Sequence, residues 1–194
     1  MPVALALDQS PTATGWAVAS PEDAKPKWGV FKLDRWGDDE GERLAQFHDW
    51  LTGKIREHSV THLFYESPID PRGLSFVKSF DVTAKQSMQI GIILVVAHLF
   101  KIPVAQVPID SWRSRFIGAT KAPPGLKGEH ARKELKRMAL KACMLRNWYV
   151  DDDNAADALG ILDFSLSTLS RQYAGGRDVI FRRAELKSDF GEKP

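Results

Sequence analysis

Apolar and polar positions recur along the 194 residues in patterns that predict most of the elements. Residues 3–7 form a short apolar run halted by Asp8, the signature of a strand covered on both faces. Residues 14–19, which include Gly15, and 28–33 alternate more clearly. A proline-bounded turn at 21–26 separates them, so an antiparallel meander follows the first strand. Between 40 and 57, Leu44, Phe47, Leu51 and Ile55 fall on one face of an amphipathic helix. Residues 62–65 read as a strand ending at Glu66, with Pro68 and Pro71 beyond it. A long helix is predicted over 82–100. Its second half is apolar on nearly all sides, which predicts a central position and makes His98 a core histidine. Residues 103–107 return as a strand, and Asp110 or Ser111 can cap a short helix towards Phe116. A loop carrying Pro123, Pro124 and glycines spans 118–128. A helix then covers 129–145, ended by Asn147, and a last one covers 153–169.

Three strands, a helix, a strand, a helix, a strand and further helices make an α/β chain. The expected architecture is a mixed sheet with an antiparallel edge, covered by helices. One domain over 1–172 accounts for the pattern. Residues 173–194 are charged and aperiodic, which predicts a loosely ordered tail. With 43% hydrophobic and 27% charged residues the composition is that of an ordinary globular protein. The single cysteine, Cys143, excludes an internal disulfide and suits a reducing cytoplasm; its helical context reads as a small buried hydrophobe. The N-terminus lacks a charged leader region and reads as a strand, not a signal peptide. The apolar run at 90–100 is shorter than the roughly 20 residues a bilayer span needs, so no membrane is expected.

A net charge of +2 says little by itself, but its distribution says more. Residues 113–146 hold ten lysines and arginines against Glu129 and Glu134. Such a concentration suits a phosphate-binding face, although a solvated helix face is the commoner fate of a charge run. Lys121 and Lys127 lie on the glycine-containing loop, where they can approach a nucleic-acid backbone. Arg113, Arg115 and Lys133 extend the same segment. Trp112 and Phe116 can stack on bases, but their i, i+4 spacing favours the core. Arg72 and Phe76, after Glu66, occupy a loop suited to probing an opened strand. Lys85, Gln86 and Gln89 form a polar face at the rim of a site or at a subunit interface.

The acids carry the sharper chemistry. Asp8 ends one predicted buried strand and Glu66 ends another, so neighbouring strands would bring them to the same end of the sheet. An ordinary turn aspartate is the plain alternative for Asp8 alone. Two buried carboxylates, however, repel unless a cation sits between them. Asp157 lies a full turn inside an apolar helix whose Ala155, Ala156 and Ala158 permit close approach to a sheet. Asp151, Asp152 and Asp153 are explained by helix capping; Asp157 is not. Asp153 and Asn154 share a helix face with Asp157 at i, i+4 and i, i+3. Hard oxygen donors from three segments suit Mg²⁺ or Mn²⁺, and no His/Cys spacing suits zinc. Two such ions about 4 Å apart can activate water and stabilise a leaving phosphodiester oxygen, without a nucleophilic side chain or organic cofactor.

On these residues the chain resembles the RuvC-type Holliday-junction resolvases of the RNase H-like superfamily. Asp8 with Thr14-Gly15-Trp16-Ala17 is similar to their opening motif, and Glu66 to their second acid. Asn154-Ala-Ala-Asp157-Ala-Leu is similar to their last, acid-bearing helix, and the segment from Ser111-Trp112-Arg113 through Lys121 and Lys127 to their DNA-binding stretch. The resemblance spans about residues 3–170. It implies an RNase H-like fold and a homodimer that resolves four-way junctions by paired, Mg²⁺-dependent nicks with two ions per active site. It further implies that Asp8 bridges both ions while Glu66 and Asp157 hold one each. The sequence departs from the pattern at Asn154, which stands where the family has an acid or histidine; Asp153 is the available substitute. The meander and tail are in the style of phage or prophage relatives.

Three other readings compete. A nuclease of the same fold can act on flaps, forks or RNA/DNA hybrids, and a weakened metal site can leave a junction-binding protein. An actin-like phosphotransferase half is opposed by the missing motif repeat and the missing glycine-rich phosphate loop.

Overall fold

The first strand alternates small and large residues, Ala4-Leu5-Ala6-Leu7, and this alternation sorts the two faces of the whole sheet. The computed structural model describes residues 1–33, 39–68 and 76–170, the side chains of 76–81 excepted. Arg72 and the predicted tail therefore lie outside the described residues, as does the side chain of Phe76. Five strands, β1 (Ala4–Gln9), β2 (Ala13–Ala19), β3 (Lys27–Lys32), β4 (His62–Glu66) and β5 (Val104–Val107), lie in the order β3-β2-β1-β4-β5. The first three pair antiparallel as a meander, and β4 and β5 join parallel to β1. The expected mixed sheet with an antiparallel edge is observed.

Successive side chains of a strand point to opposite faces. Leu5 and Leu7, with Val18, Leu63 and Tyr65, face a core built with α1 (Glu40–His58) and α2 (Phe76–Phe100). Ala4 and Ala6, with Ala17, Ala19 and Phe64, face α3 (Ile109–Ile117), α4 (Gly128–Leu145) and α5 (Asp153–Leu169). Alanines on this second face let α5 lie close to the sheet, and α5 answers with Ala155, Ala156 and Ala158, all fully or almost fully buried. The heavier leucine face needs the longer reach of Phe47, Leu51 and Ile55 from α1.

Three expectations need correction. Helix α2 begins six residues earlier than predicted, and it is not central. One side packs through Ile93, Val96 and Ala97, while Met88, Leu94, Val95, Leu99 and His98 are exposed. Its Val82–Phe100 segment is long and apolar enough to cross a membrane by length and composition alone. Gln86 and Gln89 nevertheless tie it to the chain after β1. Helix α3 is preceded by Pro108 and uses neither Asp110 nor Ser111 as a side-chain cap. The end of α4 is as expected, with Asn147 in the left-handed region at φ 60°.

Candidate functional site

β1 and β4 run parallel with Ala6 opposite Phe64 and Leu7 opposite Tyr65, so the register carries Asp8 beside Glu66. By strand alternation Asp8 follows Ala6 and Glu66 follows Phe64 onto the α5 face. On its other side Asp8 pairs with Gly15. Helix α5 touches down on that glycine. A Cβ there would stand 2.0 Å from the Asn154 carbonyl oxygen and 2.4 Å from its carbon. Asp152 caps the helix, accepting from the N–H groups of Asn154 and Ala155 at 2.8 and 3.3 Å. One turn in, Asp157 joins the two strand acids. The sequence thus brings three carboxylates together by two strand ends and one helix seated where no side chain intervenes.

Their electrostatics show the cost. Burial pushes the Asp8 carboxyl well above the ordinary carboxylate range, and the charges of Glu66 and Asp157 push it further. Burial, then the charge of Glu66, raises Asp157 to about 7. Glu66 is raised by burial too, but the Trp112 N–H and the Arg113 charge oppose this. Asp8 is 8% exposed, so water screens it little. The cluster holds more negative charge than its surroundings stabilise.

Cations from α3 and α4 partly compensate. Arg113 and Lys136 lower both Asp8 and Asp157, and Arg132 also lowers Asp157. Lys136 is ion-paired with Asp153 across the α4–α5 contact. The Arg113 Nε is buried with no hydrogen-bond partner among the described residues. Sequence reasoning counted Arg132 and Lys136 only as members of the basic run. Their i, i+4 spacing on one face of α4 was the available signal.

Other expected residues divide between this site and elsewhere. Asp153 is committed to Lys136, and Asn154, half-buried, contributes its backbone to the contact with Gly15. Arg115 turns away from the acids. It pairs at 3.1 Å with Asp163, which is 1% exposed, and lines a separate cavity of about 750 Å³ with Arg137 and Lys141. Lys121 and Lys127 are exposed on the loop before α4, and Lys133 pairs with Glu129 at 2.8 Å on the outer surface. Gln86 and Gln89 are buried and donate to the carbonyls of Gln9 and Ser10 at 3.1 and 2.9 Å, so they fix the rim beside Asp8. Gln9 in turn donates to the Glu66 carbonyl at 2.8 Å. Trp112 and Phe116 are core residues, not stacking platforms. Burial pushes the Cys143 thiol up to about 12, which removes it as a nucleophile.

Oxygen donors and surplus negative charge suit a hard divalent ion in kind and in charge. No group of three or more His, Cys, Asp and Glu side chains among the described residues forms a ready-made cage.

No protein-family model matches this chain, and no curated protein does. Solved structures match in fold. The RuvC of T. thermophilus in complex with Holliday junction substrate superposes with a TM-score of 0.59 at 17% identity, covering 83% of this chain and 90% of that one. The Thermus thermophilus RuvC structure gives 0.57 at 19% identity, covering 82% and 90%. The yeast mitochondrial Holliday junction resolvase gives 0.57 at 14% identity, covering 92% and 83%. The chain therefore has the fold of the RuvC-type resolvases, as its motifs led one to expect.

Proposed function

We propose that this chain is a metal-dependent endonuclease that cuts phosphodiesters in branched DNA and resolves four-way junctions by paired nicks. The observation that carries the reading is the convergence of Asp8, buried, with Glu66 and Asp157, half-buried, from β1, β4 and α5 onto one over-negative site. The likeness of the fold to resolvases supports it. Asp8, Glu66 and Asp157 would hold two Mg²⁺ or Mn²⁺ ions, with Asp153 or the Asn154 amide as a further oxygen donor. When bound, such ions supply an activated water and stabilise the leaving oxygen.

The chain's own residues do the rest. Arg113, whose charge bears on all three acids, holds the scissile phosphate against them through its guanidinium. Lys136 and Arg132 keep the α4 side of the site positive, so a phosphate approaches despite the carboxylates. Lys121 and Lys127, and beyond them Lys133 and Arg115, supply sequence-independent contacts along the DNA arms. Arg72 falls in the segment after Glu66 and is assigned to the branch point. Two nicks need two sites. The exposed apolar side of α2, with Met88, Val95 and Leu99, is the surface through which two copies would pair.

The test is nicking of a labelled four-way junction with Mg²⁺, Mn²⁺ or EDTA, comparing wild type with Asp157→Asn. Symmetric metal-dependent nicks that vanish in the variant are expected. Tight junction binding without nicks in either metal would refute catalysis and leave a junction-binding protein. Faster cutting of a flap or an RNA/DNA hybrid would reassign the substrate.

A further inference from the structure

Glu66 stands apart from the other two acids because a neutral side chain reaches it. The Trp112 indole N–H donates to Glu66 Oε1 at 2.9 Å, and the tryptophan is fully buried. A hydrogen bond to an ionised carboxylate favours the charged form and fixes the direction of the oxygen that accepts it. The indole is itself located by two further contacts. Its six-membered ring rests on Gly160 of α5, where a Cβ would stand 2.6 Å from Cε3 and 2.8 Å from Cζ3. Over one face lies the Arg113 guanidinium, 5.3 Å from the ring centroid.

Gly160 follows Asp157 by three residues, so both lie on the same side of α5. A single ring thus touches the strand-borne acid at its polar edge, the acid-bearing helix at its apolar edge and the Arg113 guanidinium on its face. A core tryptophan filling space alone needs none of these alignments. Any large apolar residue fills the gap, and only an indole also donates an N–H from its edge.

We propose that Trp112 is a positioning residue for the candidate metal site: its N–H fixes the Glu66 carboxylate while its ring, seated on Gly160, sets the spacing between that carboxylate and Asp157. The proposal rests on the reading of Glu66 and Asp157 as metal ligands. Partners that orient a ligating side chain in this manner typically change metal affinity or activity about 10- to 100-fold when removed.

The experiment measures Mn²⁺ binding without DNA, following the paramagnetic resonance of the free ion, for wild type, Trp112→Phe, Gly160→Ala and the double variant. Junction nicking and junction affinity are measured on the same preparations, and circular dichroism confirms folding. Trp112→Phe keeps an aromatic ring and deletes the donor; Gly160→Ala keeps the donor and displaces the ring. Each single variant is expected to weaken Mn²⁺ binding by about tenfold or more and to slow nicking, with junction affinity unchanged. The double variant is expected to fall short of the product of the two effects, because phenylalanine at 112 removes the closer of the two rings that the added methyl meets, Trp112 at 2.6 Å against Phe116 at 3.0 Å.

Wild-type Mn²⁺ affinity in a folded Trp112→Phe variant would overturn the proposal, even with nicking intact and the nuclease reading standing. Strictly multiplicative effects would overturn the link through Gly160. A wild-type protein that binds no Mn²⁺ would overturn the proposal together with the reading on which it rests. If Trp112→Phe does not fold, the Gly160→Ala result decides: unchanged Mn²⁺ affinity there overturns the role of the ring in spacing.

Discussion

A single methyl group added at Gly15 tests the claim that close approach of α5 to the sheet assembles the site. In Gly15→Ala the new carbon would lie 2.0 Å from the Asn154 carbonyl oxygen, 2.4 Å from its carbon and 3.1 Å from the Ala155 nitrogen. All three are backbone atoms, so no side chain can swing aside. Ordinary contact begins at 3.4 Å, so the start of α5 must retreat by roughly 1 Å or more. Asp157, one turn along the same helix, moves with it. Overpacking of this kind costs about 1–3 kcal/mol of stability. For a chain of this length that lowers Tm by about 2–4 °C per kcal/mol. Displacement of a reacting group by about 1 Å costs on the order of 100-fold in rate. Activity is therefore expected to fall far more than stability. The assay pairs thermal unfolding with single-turnover nicking of a four-way junction. Gly53→Ala is the control: it lies within α1 with no atom within 4 Å of an added Cβ. That substitution is expected to raise stability by about 0.5–1 kcal/mol and leave nicking unchanged. A folded Gly15→Ala protein that nicks at the wild-type rate would refute the reasoning.

Two further predictions follow from the charges and the exposed surface. The Asp157 carboxyl sits at about 7 in the folded chain against an ordinary 3.8, so the native state binds more protons than the unfolded chain between those values. Stability is then fully present below about pH 4 and lost as pH rises towards 7, and Asp8 and Glu66 act with the same sign. In EDTA, wild type should melt lower at pH 8 than at pH 5. Asp157→Asn should flatten that difference, and an equal slope in the variant would rule out Asp157 as a main source. Pairing through α2 predicts that Val95→Glu, at a position 53% exposed, leaves the fold intact but yields a monomer by light scattering that makes uncoupled single nicks. A dimeric variant would move the interface elsewhere.

Much was legible before any coordinates because the relevant physics is local. The Ala/Leu alternation before Asp8, the run ending in Glu66 and the 3.6-residue pattern around Asp157 each follow from which side chains can be buried on a strand or helix. These patterns marked the strands and α5 closely, and they singled out all three acids. Local patterns failed where burial is decided at a distance. A helix as apolar as α2 reads as central, yet among the described residues its covering stops at one side, and nothing in its own sequence says where neighbours end. Arg113 and Arg115 are neighbours in one basic run. The turn of α3 sends one to the acids and the other to Asp163. Trp112 could be assigned to the core, but not to Glu66, 46 residues away in sequence. The sequence determined which residues carry charge and which elements they end. Only the tertiary structure decided which charges meet, because that depends on strand register and on two glycines whose missing side chains let α5 and the tryptophan reach their places.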